Sequence, residues 1–100
     1  MAVSKEIVHL LYNDLAKNNG EEMADIKEVL LKVFHKLADI TDEVPLINRL
    51  VNYIYFISYT NQLQFSAEQN QLIKQLAQIG GKAGLNGVYR ADYGDKSQFD

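Results

Sequence analysis

Cysteine is absent from this 100-residue chain. Its absence excludes disulfides, thiol catalysis and thiolate metal sites. Small secreted domains usually need such staples, so a cysteine-free chain of this size points to a cytoplasmic location. Histidine occurs only at His9 and His35. A metal site would need both, with carboxylates, and Glu6, His9 and Asp14 do not form a set at helical i, i+3 or i+4 spacing. Long hydrophobic runs are missing too. The best candidate, Val51 to Tyr59, contains Asn52 and Ser58 and is too short to cross a bilayer as a helix. The opening MAVSKEIVHLLYNDL has acids and a histidine inside its apolar pattern, unlike a signal sequence. Basic residues are not in excess: ten Lys and Arg stand against thirteen Asp and Glu, for a net charge of −3. No nucleic-acid partner is expected from that balance. No phosphate loop and no GxSxG elbow is present. With no convergent acid, base and nucleophile, neither an enzyme nor a cofactor is expected.

What is present is a single domain's worth of amphipathic helix. Hydrophobic residues make up 47% and charged residues 23% of the chain, ordinary for a globular protein. A first helix is expected over about 4–18, with Ser4 as its cap and Ile7, Val8, Leu11 and Leu15 as one apolar stripe that Leu10 widens. Gly20 suits the left-handed position after it. A second helix is expected over about 22–38. Met23, Ile26, Leu30, Val33 and Leu37 give its period, with acids early, bases late, and a Glu28–Lys32 pair. Asp42 is a candidate cap, and Pro45 fits the first turn of a third helix over about 45–61. VNYIYFISYT within that helix is rich in strand-forming residues. The 3.6-residue period begins upstream in LINRLV without a break, however, and a lone strand would have no partner. A fourth helix is expected over about 67–79, with Ser66 and Gln69 as a capping box. Four amphipathic helices with short links predict an all-α, antiparallel four-helix bundle.

The remaining tail, 80–100, is different. It holds five of the six glycines, at Gly80, Gly81, Gly84, Gly87 and Gly94, so it is a poor helix. It also carries Leu85, Val88, Tyr89, Tyr93 and Phe99, apolar groups that disordered tails usually lack. A non-helical strip packed on helices three and four is expected. Tyr53, Tyr55, Phe56, Tyr59 and Phe65 cluster within 13 residues. Tyr53 and Tyr55 are about 200° apart around a helix axis, so these rings cannot all face one core. Some must cover the tail or remain partly exposed. Arg90 lies among Tyr89, Asp92 and Asp95. It is read either as half of a local ion pair or as a planar donor fork for a partner.

PLINRLVNYIYFISYTNQLQF and GGKAGLNGVYRADYGDKSQF together resemble the immunity proteins of pediocin-like (class IIa) bacteriocins, and IVHLLYNDL is similar as well. The resemblance implies a small cytosolic four-helix bundle that protects a producing lactic acid bacterium from its own bacteriocin. It implies a partner: the membrane subunits of the mannose phosphotransferase permease with bacteriocin bound. The immunity protein would lock that complex from the cytosolic side as a peripheral component, with no transmembrane segment of its own. The C-terminal half is implied to decide which bacteriocin is resisted. Tyr89 and Tyr93 are expected to pack on helices three and four. Arg90, Asp92 and Lys96 would then face outward as a recognition surface. Two other readings stay open. One is a helical regulator that binds a soluble partner. The other is a bundle with a small-ligand pocket lined by Tyr53, Tyr55 and Phe56.

Overall fold

A computed structural model describes residues 3–18, 20–80 and 96–100. They form α1 (Val3–Asn18), α2 (Ala24–Leu37), α3 (Val44–Asn61) and α4 (Ala67–Gly80), with short 3-10 turns at Glu21–Met23 and Lys96–Phe99. α1 lies beside α2 and α4, and α3 lies beside α4 and α2. That cyclic order is the antiparallel four-helix bundle expected from the periodicity. No strand occurs among the described residues. VNYIYFISYT is helical throughout: the apolar period outweighs local strand preference.

The core follows the stripes. Ile7, Val8, Leu11 and Leu15 of α1 meet Ile26, Val29, Leu30 and Val33 of α2, and Ile47, Leu50, Val51 and Ile54 of α3 close the other side. Leu10 does not widen the α1 stripe. It is 56% exposed, because a position 100° before Leu11 already looks past the core. α4 contributes only Ile73 and Leu76 as buried hydrophobics, between buried Gln69 and Gly80.

The helix ends combine the expected devices with two departures. Ser66 Oγ accepts the Gln69 N–H at 3.1 Å, and Gln69 Oε1 accepts the Ser66 N–H at 3.0 Å. This is the reciprocal capping box. Asp42 accepts the Val44 N–H at 3.1 Å, and Pro45 sits in the first turn of α3. Ser4, by contrast, lies inside α1, fully buried, and donates its hydroxyl proton to the Glu43 carboxylate. It ties α1 to the start of α3 rather than capping a helix. Gly20 has φ −95°, not a positive angle. Its N–H is held at 3.0 Å by Glu22 Oε1, so a side-chain bond fixes Gly20 without a left-handed backbone. The left-handed position falls instead to Gln62, with φ 54°. There the N–H groups of Gln62 and Leu63 both reach the carbonyl of Ser58 and close α3.

Candidate functional site

Tyr89, Arg90, Asp92 and Tyr93 lie outside the described residues, as does the packing expected for most of the tail. Lys96 is described. Its ammonium lies 3.0 Å from Asp25 Oδ1 and 3.0 Å from Glu28 Oε1, both on α2. It therefore grips its own bundle, where an outward recognition contact was expected. Lys32 of α2 returns the arrangement, 2.5 Å from Asp100 Oδ1. Between these pairs Phe99 is fully buried. Its ring meets Tyr53 of α3 edge-on, with centroids 5.6 Å apart and planes at 86°. The end of the chain thus sits on α2 and against α3, not on α3 and α4. Burial of the Phe99 ring supplies the larger part of this attachment, and charge sets its position. The acidic row of α2 attracts Lys96, and the groove beside it is deep enough to take Phe99.

The electrostatics agree with this geometry. Burial, then the negative charge of Asp25, pushes the Tyr53 phenol up to about 12. Hydrogen bonds to Asp25 and Glu28 hold the Lys96 ammonium well above the usual lysine range. The bond to Asp100 raises Lys32 in the same direction. Sequence reading singled out Phe99 as apolar but not as core. The missed signal was KSQFD itself: an aromatic between a base and an acid can pair with the Asp25, Glu28 and Lys32 row of α2.

The junction of α3 and α4 is built on a close approach. Gly80 is buried at the end of α4. A Cβ there would lie 2.9 Å from the Asn48 amide nitrogen and 3.0 Å from its Cα. Asn48 donates its side-chain amide to the Gly80 carbonyl at 3.0 Å, and Asn52 donates to Asn48 in turn at 3.0 Å. Gly80 is more than a helix stop, since the two backbones meet there. On the opposite side Gln69, besides capping α4, donates to Asp14 of α1 at 2.7 Å. With help from Asn18, that bond lowers the Asp14 carboxyl below its ordinary value.

The aromatic cluster divides as the angular argument requires. Tyr53 is in the core, Tyr55 and Phe56 are half-buried, and Tyr59 is 75% exposed. A ligand pocket lined by Tyr53, Tyr55 and Phe56 is not what the structure shows. Tyr53 is covered by Phe99. Tyr55 instead lines an open groove of about 390 Å³ with Ser58, Leu63, Gln64, Phe65, Asn70 and Ile73. A smaller cleft of about 140 Å³ separates α1 from α2 beside His9, Tyr12 and Phe34. Lys5 sits 5.0 Å above the Phe34 ring there. Among the described residues no three His, Asp or Glu side chains gather as a metal site. No helix among them is long and apolar enough to cross a membrane.

Comparison with known proteins gives this architecture a family. The model of the bacteriocin immunity protein family matches residues 2–80, the bundle itself. A probable leucocin-A immunity protein of Leuconostoc gelidum is 51% identical over 92 residues, covering 92% of this chain and 80% of that protein. A probable mesentericin immunity protein of Leuconostoc mesenteroides is 46% identical over 97 residues, covering 96% of this chain and 86% of the relative. Both alignments are long enough to run past Gly80 into the tail. The crystal structure of a bacterial immunity protein that confers immunity to the pediocin-like bacteriocin enterocin A superposes with a TM-score of 0.73 at 49% identity. That match covers 77% of this chain and 99% of the other. A shared bundle, at this identity and over this length, makes the chain a member of the bacteriocin immunity protein family.

Proposed function

We propose that the chain protects a producing cell from a pediocin-like (class IIa) bacteriocin. It would do so by binding the bacteriocin-occupied mannose phosphotransferase permease at the cytosolic face and holding its pore closed. The observation that carries the reading is the match, at 49% identity, to a protein that confers immunity to enterocin A. The chemistry of the chain is consistent with a binding role. Ser66, the hydroxyl beside Asp14 and Glu68 in one described cleft, is engaged as the cap of α4. Tyr89, Arg90, Asp92, Tyr93 and Lys96 are the proposed contact residues. Lys96 has a second duty, anchoring the tail through Asp25 and Glu28.

Expression in a sensitive strain, challenged with a panel of pediocin-like bacteriocins, tests the reading. Protection against at least one member is expected, and unchanged killing by all of them removes it. Pull-down from membranes then tests the mechanism. Permease subunits should be recovered only when bacteriocin is present. A soluble partner recovered from untreated cells would favour a helical regulator instead. Replacing Arg90 and Asp92 together with alanine should abolish protection with the melting temperature unchanged. Lys96→Ala should lower both.

A further inference from the structure

Between Arg49 and Glu68 the chain has no formally charged side chain. Leu50 to Ala67 is a run of 18 residues without Asp, Glu, Lys or Arg, and no other such run in the sequence exceeds seven. The structure puts the second half of that run at one end of the bundle, where α3 turns into α4. All seven residues that line the groove there are uncharged: Tyr55, Leu63, Phe65 and Ile73 supply apolar surface, and Ser58, Gln64 and Asn70 supply neutral polar groups. Next to Ser58, Tyr59 is the most exposed large hydrophobic side chain among the described residues. The other clefts differ in kind. The one between α1 and α2 carries His9, with Lys5 beside it. The two that border Asp14 also carry Glu68.

Charge decides what such an end can hold. Docking strips water from both partners, and an ion stripped without a counter-ion is expensive. A partner bringing a carboxylate, phosphate or ammonium into the groove would find no counter-ion among its seven lining residues. Anionic lipid headgroups are recognised by clustered Lys and Arg, which this end lacks. An uncharged segment meets no such penalty. Interface cores are depleted of charge and enriched in Tyr and Phe, which is the composition here. The amide and hydroxyl groups on the groove can satisfy a neutral backbone.

We propose that the α3–α4 end of the bundle docks an uncharged, apolar segment of a partner protein. One apolar side chain of that segment would enter the groove between Tyr55, Phe65 and Ile73, with Tyr59 flanking it. The proposal rests on the reading that the chain acts on a membrane-protein complex. It names the face that meets the complex and the chemistry of what is met.

The full chain carrying a photoreactive phenylalanine analogue at position 59 tests it. The chain is irradiated with membranes of sensitive cells exposed to bacteriocin. The expected product is an adduct to a membrane protein whose cross-linked stretch lacks Asp, Glu, Lys and Arg. Gln64→Lys puts a charge at the groove on an exposed residue, and should lower the adduct yield at least tenfold while circular dichroism stays unchanged. Four results overturn the assignment: no adduct, an adduct only to a second copy of the chain, an adduct to a charged stretch, or a yield unaffected by Gln64→Lys. Flotation of the wild type on protein-free vesicles of the same cells' lipids, abolished by Gln64→Lys, would also overturn it in favour of a lipid surface. Survival assays keep this apart from the immunity reading. A wild type that protects while Tyr59→Lys does not supports the docking face. Equal protection by both sinks the face and leaves immunity standing. A wild type that never protects sinks immunity, and the adduct then decides the face alone.

Discussion

Between Leu46 and Ile54, α3 buries six side chains, whereas between Tyr55 and Asn61 it buries none. The second stretch is the richer in aromatic and β-branched residues, with five of seven against four of nine. What separates them is the neighbourhood. α3 has 18 residues and α2 and α4 have 14 each. At 1.5 Å per residue α3 is about 6 Å longer than either. The first half is also covered by Phe99, which the charge pairs of Lys96 and Lys32 hold in place. Burial along this helix is thus a property of what surrounds it, not of its own composition. One half lies in the core, and the other is half-buried or exposed at the end of the helix.

Phe99→Ala should break that contrast most severely. Removing a fully buried ring costs about 3–5 kcal/mol, a large share of the ~5–15 kcal/mol that holds a domain of this size. Urea denaturation should show the loss, and a cost below about 1 kcal/mol would mean that the ring is not core. Gly80→Ala comes next. Its new methyl group would press on the Asn48 backbone, and overpacking of this sort costs about 1–3 kcal/mol. The same measurement reads it, and no loss would mean that the helices part without cost.

Alkaline titration sharpens the comparison without a mutation. The Tyr53 phenol is raised from 10.0 to about 12 in the folded chain. The neutral form therefore favours folding. Its contribution is complete below about pH 10 and fades as the pH climbs towards 12. Lys96 and Lys32 are raised as well. Their contribution is complete below the ordinary lysine value and is lost above it. Tyrosinate absorbance should show a late-ionising tyrosine, and Phe99→Ala should abolish the delay. At the outer half of α3 the effects are small. Gln62→Gly should gain up to about 1 kcal/mol, because only the left-handed φ of 54° penalises a side chain there. Tyr59→Ala should change stability by no more than about 0.5 kcal/mol, as exposed positions usually do.

The bundle was legible because its signals are local. The stripes of α1, α2 and α3, the Ser66–Gln69 box and Pro45 are all settled within one helix's length of sequence. Most of the failures were non-local, Gly20 with its near neighbour Glu22 being the exception. Ser4 looked like a cap because nothing nearby announces Glu43, which lies 39 positions away. Gly20 invited a left-handed assignment because Glu22's reach back to its N–H does not follow from composition. Gly80 read as a stop, although its role depends on Asn48 across the bundle. Of the candidate contact residues, Lys96 also pairs with Asp25 and Glu28 of α2, which lie 71 and 68 positions away. Pairing partners across a bundle leave little trace in periodicity.

The attachment of Phe99 also has a place in time. Lys96 and Asp25 are 71 positions apart, and Lys32 and Asp100 are 68. Helical hairpins such as α3–α4 form from near neighbours, while contacts this distant must first overcome a long loop-closure entropy. The terminal turn is therefore expected to dock on a bundle already assembled and to release before the helices part. Such a release would bare Tyr53 while the four helices persist. Amide hydrogens of residues 97–99 should exchange faster than those of Leu50 to Ile54. The gap between the two rates measures how often the chain end lifts.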